Sequence, residues 1–341
     1  MAVVAHGRYL GAVEYITETT YGTTPTGPAM QWVGYVQSFR NTGKVLSEDI
    51  KYLKDNSYTT GRPDSHKNVQ TGEDVSFEIE YIPQVGRFWQ AGATANPTLF
   101  TGAFTTDTTP DYTPTDTLPS FSVVAIDKNT DTGKEFNVYT GCLVQDMTLS
   151  VEVGTAMRCR ATCLGNALTP TTTDFIGAGS HASEDSAAGL GASHVSDVQM
   201  RATGGSFGSI ADYVNGLEVK ISNKINLAKD LNSTASSKVA AAVLTSREIT
   251  VSLDVAWLDL ALVEANHRRF SLDDLQAFTS YDIACKIENG TTDYYLRLVG
   301  ARFPEIPFEY SLEDLCGDKI TSLPLEGSSS LPAISGIASL A

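Results

Sequence analysis

One short segment of the sequence has the spacing of a nucleophilic serine. Gly204-Gly205-Ser206-Phe207-Gly208 fits the G-x-S-x-G pattern, in which a serine sits on a sharp turn between a strand and a helix. Asp254 or Asp259, followed by His267, stands downstream in the order that such hydrolases use. The pattern requires a helix after the serine and an α/β sheet around it, whereas the neighbouring residues favour strands and turns. A glycine-rich hairpin turn is therefore the preferred interpretation.

Metal-ligand spacing is a second chemical pattern to weigh. Cys159 and Cys163 are four residues apart and would face the same side of a strand, yet no second Cys or His pair stands at a zinc-site spacing. The histidines are scattered, and none forms an H-x-x-x-H or H-E-x-x-H pattern: His6, His66, His181, His194 and His267. We expect no metal and no cofactor, and we interpret the two cysteines as small core or interface residues.

Paired carboxylates could act as a general acid and a general base. Glu78 and Glu80, and likewise Glu305 and Glu309, are close in sequence, but each pair lies on one strand among other acidic residues. A charged strand face explains them more simply than a catalytic pair. No phosphate-binding or dinucleotide-binding glycine loop stands between a strand and a helix. The sequence thus predicts a protein that is not an enzyme.

The elements that carry these acidic residues are strands with two different faces. In segment 73–81 every second residue is apolar and the residues between them are polar or acidic, and segment 247–255 repeats that pattern. Segments 146–153 and 305–310 close the two halves with similar strands, although Pro304 and Pro307 weaken the second of these predictions. The acidic faces carry these residues: Glu78, Glu80, Asp146, Glu152, Glu248, Asp254, Glu305 and Glu309.

Matching patterns in the two halves indicate an internal duplication. Thr42-Gly43-Lys44-Val45 resembles Ser222-Asn223-Lys224-Ile225, where Gly43 and Asn223 both tolerate a left-handed turn. A short helix-compatible stretch follows in each half, at 84–91 and 256–269. We therefore expect an all-β protein with a minor helical part, with related domains at 1–168 and 192–329. A linker at 169–191 would join them, and a flexible tail would follow at 330–341.

The charge of the chain argues against a surface that grips phosphates. The 341 residues include 40 acidic and 24 basic ones, for a net charge of −16. A nucleic-acid binder gains affinity when Lys and Arg displace counterions, so this balance has the wrong sign. Acidity is compatible with DNA that must slide without sticking, and equally with solubility alone or a salty habitat. Against this background, segment 46–70 is long and polar, and it contains the basic residues Lys51, Lys54, Arg62 and Lys67.

Cysteine usage and hydropathy bear on where the chain folds. The sequence has five cysteines, an odd and sparse set, with no secretory signal pattern before them and no stretch of ~18 apolar residues. We expect folding in a reducing cytoplasm, free thiols and no insertion into a membrane.

A series of short segments follows the order found in a known family. The segments are Glu18-Thr19-Thr20-Tyr21-Gly22-Thr23-Thr24-Pro25, Gly34-Tyr35-Val36-Gln37-Ser38, Glu48-Asp49 before Gly61-Arg62, Leu118-Pro119-Ser120-Phe121-Ser122-Val123, Tyr139-Thr140-Gly141-Cys142-Leu143-Val144, Met147-Thr148-Leu149-Ser150-Val151 and Gly165. In their order, and with the duplicated layout, they resemble the tail tube proteins of long, non-contractile-tailed phages and related archaeal viruses.

This resemblance implies two β-sandwich or barrel-like tube domains, each with a flanking helix, in a virion tail protein made in the host cytoplasm. Three chains would supply the six domains of a ring, and stacked rings would form the tube. Double-stranded DNA would pass through the lumen without specific binding. The expected protein neighbours are the tape measure protein and the tail-terminator or distal tail proteins.

Two sets of residues acquire expected roles from this resemblance together with the charge pattern. The eight acidic residues of the strand faces are expected to line the lumen, where a negative wall repels phosphate within the screening length of ~8 Å. Segment 46–70 is expected to contact the next ring. The residues predicted for that contact are Lys51, Lys54, Arg62, His66 and Lys67.

Two other functions remain open from the sequence. A distal tail or baseplate hub component would form one ring and stop, whereas a tube protein makes filaments. A carbohydrate-binding or hydrolytic β-sandwich would show saturable sugar binding or hydrolysis by the purified chain.

Overall fold

The computed structural model describes residues 8–51, 66–84, 98–103, 111–112, 117–129, 133–173, 181–182, 188–202, 207–211, 214–229, 239–256, 280–289, 292–304, 317–325 and 331–332. Most of these residues form β-strands, which confirms the predicted all-β fold class. In chain order, the strands are β1 (Arg8–Thr17), β2 (Gln31–Trp32), β3 (Tyr35–Asn41), β4 (Lys44–Lys51), β5 (His66–Ile82), β6 (Asp111–Tyr112), β7 (Phe121–Asn129), β8 (Gly133–Glu152), β9 (Arg158–Gly165), β10 (Ala167–Thr171), β11 (Val195–Ala202), β12 (Gly208–Ser209), β13 (Val214–Lys229), β14 (Val239–Ala256), β15 (Tyr281–Asn289), β16 (Thr292–Ala301), β17 (Gly317–Thr321) and β18 (Leu331–Pro332).

Helical structure is minor in the described ranges. Two short 3-10 helices occur there, at Thr101–Ala103 and Ala192–His194. The helix-compatible stretches predicted at 84–91 and 256–269 lie almost wholly outside the described residues, so they stay predictions.

The first half of the chain forms two β-layers around an aromatic core. One layer contains β2, β1, β7, the first part of β8 and β10, and the other contains β3, β5, β9 and the second part of β8. Between them, the rings of Phe39, Phe77 and Tyr139 lie 4.9 to 5.6 Å apart between centroids. Alternation along each strand places one apolar face in this core, as the sequence predicts.

β8 belongs to both layers because it changes direction in its middle. Its residues up to Cys142 pair with β7 or β10, whereas Leu143 and later residues pair with β9 and β13. Gly141 stands at this corner with φ +62°, a left-handed conformation that favours glycine. A Cβ atom there would come within 2.6 Å of the Asn166 Cβ, so the corner requires glycine for space as well.

The second half repeats the two-layer arrangement. β13, β14 and β17 form one layer, and the four-stranded sheet β12-β11-β15-β16 forms the other. Buried side chains such as Val219, Leu253, Ile283 and Leu298 belong to the same core cluster as those of the first half.

The two halves are joined by main-chain hydrogen bonds between strands. β8 of the first half pairs antiparallel with β13 of the second half, from Glu152 opposite Gly216 to Asp146 opposite Ser222. One sheet therefore runs through β17, β14, β13, β8, β9, β5 and β3. We call this run of strands the joined sheet. The domain boundaries given above stay predictions, since a shared sheet and core do not mark a division.

The repeated turn at Gly43 and Asn223 is not a left-handed turn in either half. Gly43 is absent from the glycines with positive φ, and a Cβ atom there would meet the Asp74 carbonyl oxygen at 2.7 Å, so close approach of backbone explains the glycine. Asn223 lies inside β13 and is buried. Its Nδ2 donates to the carbonyl oxygens of Ala103 at 2.6 Å and Val144 at 3.0 Å, so a side-chain hydrogen-bond requirement explains the asparagine.

Parts of the predicted linker and tail make contacts with the rest of the chain. Residues 169–171 belong to β10, and the Nδ1 atom of His181 lies 3.0 Å from Oε2 of the buried Glu14. In the predicted tail, β18 pairs with β6. Some described residues of these two segments thus contact other parts of the chain, and the linker and the tail stay predictions.

Candidate functional site

The joined sheet has one continuous polar face. Because residues that stand opposite each other on paired strands share a face, the strand registers connect side chains across the whole sheet. One row runs Glu248, Ser222, Asp146, Thr162, Glu78, Arg40, and the next row runs Thr250, Lys220, Thr148, Arg160, Glu80, Ser38. Two further rows contain Thr321, Ser252, Glu218, Ser150, Arg158 and Lys319, Asp254, Gly216, Glu152. We call these four rows the polar face.

The other side of the same strands is apolar and buried. Phe77, Ile79, Met147, Val219 and Leu253 alternate with the polar-face residues and have at most 1% of their surface exposed. Burial of this apolar area fixes which side of each strand faces the core, because a shift by one residue would exchange the two faces. The polar face is therefore a consequence of core packing along the whole sheet.

Six of the eight acidic residues predicted to share a function lie together on the polar face. They are Glu78, Glu80, Asp146, Glu152, Glu248 and Asp254. Glu305 and Glu309 lie outside the described residues. Segments separated by more than a hundred residues in the sequence thus contribute to one surface. Their alternation identified these residues but did not predict the order of the strands in the sheet.

Basic residues that the sequence analysis did not select are interleaved with these acids. They are Arg40, Arg158, Arg160, Lys220 and Lys319, and Glu218 is a further acid on the same face. Arg158 and Arg160 alternate with the buried Cys159 and Ala161, which is the same pattern that identified the acids. This alternation could have predicted both arginines from the sequence.

Ion pairs reduce the negative charge of the polar face. Arg158 Nη1 donates to Glu80 Oε1 at 3.1 Å, Arg160 Nη2 lies 3.8 Å from Glu78 Oε2, and Lys319 Nζ donates to Glu218 Oε2 at 2.9 Å. Asp146 Oδ1 accepts a 2.6 Å hydrogen bond from Ser222. Within the residues that the structure describes, Glu152, Glu248 and Asp254 have no ion pair. The face is thus of mixed charge, with its unneutralised carboxylates toward the β8–β13–β14 side.

The two described ends of the predicted contact segment form a β-hairpin arm. β4 pairs with the first part of β5 from Lys44 opposite Asp74 to Lys51 opposite His66, whereas β9 pairs with β5 only from Val75 onward. Residues 46–51 and 66–70 are therefore strand, where the sequence suggested a long loop. Lys51, His66 and Lys67 lie on these strands, and Lys54 and Arg62 lie outside the described residues.

A buried carboxylate connects three of the segments that carry the family resemblance. Oε1 of Glu18 accepts hydrogen bonds from the Ser122 hydroxyl at 2.6 Å and the Gly141 N–H at 2.8 Å, and its Oε2 accepts one from the Gly22 N–H at 2.8 Å. Ser122 Oγ also lies 2.6 Å from Thr24 Oγ1. These contacts tie the loop after β1 to the corner of β8. These residues of the family resemblance therefore stabilise the fold, since the donors Gly22, Ser122 and Gly141 belong to the loops and strands of the first half.

The four described cysteine thiols are placed for packing and not for reaction. Cys142, Cys159, Cys163 and Cys285 are free and buried. Burial raises the pKa of the Cys163 and Cys285 thiols to about 12, and it raises the pKa of Cys142 and Cys159 as well. A nucleophilic cysteine needs a lowered pKa and access to solvent, so these thiols have neither property.

Among the described residues, no group of three or more His, Cys, Asp or Glu side chains is arranged to hold a metal ion, and no helix has the length and apolar character needed to cross a membrane. Of the serine motif, Ser206 lies outside the described residues, as do Asp259 and His267, while Asp254 belongs to the polar face.

Comparison with known proteins gives one match that covers most of the chain. The sequence model of the family described as phage tail tube protein matches residues 10–330. Among solved structures, a chain from the virion of a native gene transfer agent particle is similar, with a TM-score of 0.30 and 10% sequence identity over 43% of this chain and 99% of that one. Comparison with curated proteins gave no match.

Proposed function

The chain belongs to the phage tail tube protein family and is a structural protein of a virion tail, and we propose that its copies form rings that stack into a tube for double-stranded DNA. The family itself is a family of structural proteins. The tube would end at tail-terminator and distal tail proteins, and before DNA passes it would enclose the tape measure protein.

The pairing of β8 with β13 is the observation that supports ring formation. In this pairing, one half of the chain extends the sheet of the other half through main-chain hydrogen bonds over seven register positions, from Gly216 to Ser222. Among the described strands, β3 pairs on one side only, with β5, and so ends the joined sheet at the first half. We propose that β3 pairs with the closing strand predicted at 305–310 in a neighbouring chain, as β13 pairs with β8 within the chain. Such closure would remove the exposed edge that otherwise favours aggregation.

Three chains per ring follow if the ring has the six domain positions that the family resemblance implies and each half of the chain occupies one of them. The two halves would alternate around the ring, so the symmetry would be strictly three-fold and only approximately six-fold. A head-to-tail contact of this kind closes when the rotation between positions completes a circle. Stacking of one ring on the next remains open-ended and produces a tube of any length.

The polar face suits a channel wall for DNA that has to slide. If the apolar side packs against the outer layer, the polar side is free to face the lumen. Arg158 and Arg160 are already paired with Glu80 and Glu78, so few cations are left to hold phosphate. Glu152, Glu248 and Asp254 outnumber Arg40 and Lys220, the two basic residues of this face that have no ion pair among the described residues, so the wall would stay weakly negative.

Negative-stain electron microscopy of the purified protein tests the proposal. We expect hollow tubes with an axial channel wide enough for a DNA duplex. Single rings that do not extend at high protein concentration would favour the distal tail or hub alternative. Monomers that bind or cleave a sugar would favour the carbohydrate-active β-sandwich.

A further inference from the structure

The corner at Gly141 in β8 has a counterpart at Gly300 in β16. Both glycines have a positive φ, +62° for Gly141 and +81° for Gly300. In each half the register to the neighbouring strand shifts beside the glycine, next to Phe121 of β7 and next to Tyr281 of β15, and one extra residue lies on the strand that contains the glycine. The second half therefore repeats the bend of the first.

The chain turns away from the sheet β12-β11-β15-β16 after Gly300. The carbonyl oxygen of Arg302 accepts a 2.8 Å hydrogen bond from the N–H of Leu323, which follows β17 of the joined sheet. The side chain of Phe303 is buried in the main core. The chain thus passes from one layer toward the other at the end of β16, as β8 does at its corner.

A carboxylate holds the corner in both halves, but it comes from a different place in the sequence. In the first half, Glu18 follows β1 and accepts hydrogen bonds from Ser122 and from the N–H of Gly141. In the second half, Asp282 has the place of Ser122, because each is the second residue of its strand. Oδ1 of Asp282 accepts from the N–H of Gly300 at 3.4 Å. The carboxylate has therefore moved from the loop to the neighbouring strand.

Arg201 of β11 fixes the orientation of the Asp282 carboxylate. Its Nε donates to Oδ2 of Asp282 at 2.9 Å, and its guanidinium carbon lies 4.2 Å from the ring centroid of Phe207. The side chain of Arg201 is 15% exposed and that of Asp282 is 2% exposed. A charge-assisted hydrogen bond in such a buried place restricts the rotamers of both partners. One carboxylate oxygen is thus held by Arg201 while the other points to Gly300.

The strand that follows each corner has different support within the chain. After Gly141, the second part of β8 pairs with β9 on one side and with β13 on the other. After Gly300, the closing strand is predicted at 305–310, outside the described residues, and the proposed ring uses one side of it for β3 of a neighbouring chain. The direction of the chain at Gly300 therefore matters more for assembly than the direction at Gly141.

We propose that Asp282 and Arg201 are positioning residues for ring formation, which direct the chain at Gly300 so that the closing strand meets β3 of the neighbouring chain. This inference rests on the proposed ring. Glycine has access to many backbone conformations, so the corner without its acceptor would sample several directions. A strand end that is already oriented loses less conformational freedom when it pairs, and it therefore binds more tightly.

Two double variants separate this positioning role from the stability of the fold. Both contain Arg201→Met, because apolar replacement of a buried ion pair is often neutral for stability and methionine packs well on the ring of Phe207. One adds Asp282→Leu, which offers no acceptor to the N–H of Gly300. The other adds Asp282→Asn, which keeps a side-chain oxygen at that place. Both variants should fold, with the far-UV circular dichroism spectrum of wild type.

Negative-stain electron microscopy then compares tube formation by the two variants. The variant with Asp282→Asn should form tubes at the protein concentration that wild type needs. The variant with Asp282→Leu should form none, or should need a concentration at least about tenfold higher, the factor that corresponds to one lost hydrogen bond.

Three results would overturn the positioning role. The first is tubes of the Asp282→Leu variant at the wild-type concentration, and the second is failure of the Asp282→Asn variant to form them. The third is an unfolded Asp282→Leu variant, since the ion pair would then serve the stability of the fold. If wild-type protein itself forms no tubes, the proposed ring fails and the positioning role fails with it.

Glu18→Ala is the matched control from the first half. It removes the acceptor from the corner of β8, but the strand after that corner is paired on both sides within the chain. Glu18→Ala should therefore lower the urea midpoint and still form tubes. Loss of tubes in a folded Glu18→Ala chain would show that any weakened corner prevents assembly, and it would contradict the particular role of Asp282.

Discussion

The backbone N–H of Gly141 donates a 2.8 Å hydrogen bond to Oε1 of Glu18, although 123 residues separate them along the chain. Gly141 is the corner at which β8 passes from one layer to the other, and Glu18 follows β1, which belongs to the same layer as β7. One buried carboxylate thus fixes the position of the bend that brings the second part of β8 into the joined sheet.

The Glu18 contacts predict a clear cost for losing the carboxylate. Glu18→Ala would leave the N–H groups of Gly22 and Gly141 buried without an acceptor, and an unpaired buried donor costs roughly 1–3 kcal/mol. We expect the free energy of unfolding to fall by about 2–4 kcal/mol in urea titrations. Thr24→Ala removes only a contact to Ser122 and should cost about 1 kcal/mol or less. Equal stability of Glu18→Ala and wild type would contradict the role of this residue.

Lysine substitution at the unpaired acids tests the channel wall. Glu152→Lys, Glu248→Lys and Asp254→Lys together should leave tubes intact, because none of these residues has an ion pair in the described part of the chain. Purified variant tubes should retain linear DNA duplexes, and added salt should release them, since phosphate binding by lysine depends steeply on salt. Lysines at the exposed Thr169 and Thr172 serve as a control and should retain no more DNA than wild type. Failure of the triple variant to retain DNA would refute the lumen assignment.

The sequence predicted the two-faced strands well because alternation is a local property that core packing enforces. Glu78, Glu80, Asp146, Glu152, Glu248 and Asp254 all lie on one face, as expected. It could not predict that β8 pairs with β13, since strand partners depend on contacts far apart in sequence. Gly43 and Asn223 were misread for a related reason: their types fit a turn, but the constraints come from Asp74 and from Ala103 and Val144. The prediction selected acidic residues only and so omitted Arg158 and Arg160, which obey the same alternation.

Buried thiols predict a loss of stability in alkaline solution. The pKa of Cys163 is raised by burial from its ordinary value of 9.0 to about 12, so folding favours the neutral thiol. The stabilising contribution is complete below pH 9 and is lost as the pH rises from 9 toward 12. We expect the urea midpoint to fall across this window, and to fall less steeply for Cys163→Ala. The urea midpoint of Thr162→Ala, on the opposite face of β9, should fall with pH as steeply as that of wild type. If the midpoint of Cys163→Ala also falls as steeply as that of wild type, this explanation is contradicted.

Removal of the hairpin arm formed by β4 and the first part of β5 tests the predicted contact between rings. A short turn in place of residues 46–70 leaves the part of β5 that pairs with β9, from Val75 to Tyr81, in place. The shortened chain should therefore fold, with a far-UV circular dichroism spectrum typical of β-sheet, but yield soluble subunits or single rings. Tubes of normal length from this chain, seen in negative stain, would show that the arm does not hold adjacent rings together.

A helical reconstruction of the assembled tube by electron cryomicroscopy tests the central claim most directly. We predict three chains in each ring, a continuous inner sheet in which β3 of one chain pairs with the closing strand of the next, and Glu152, Glu248 and Asp254 facing the channel. Six complete chains per ring, or these three carboxylates on the outer surface, would contradict the account.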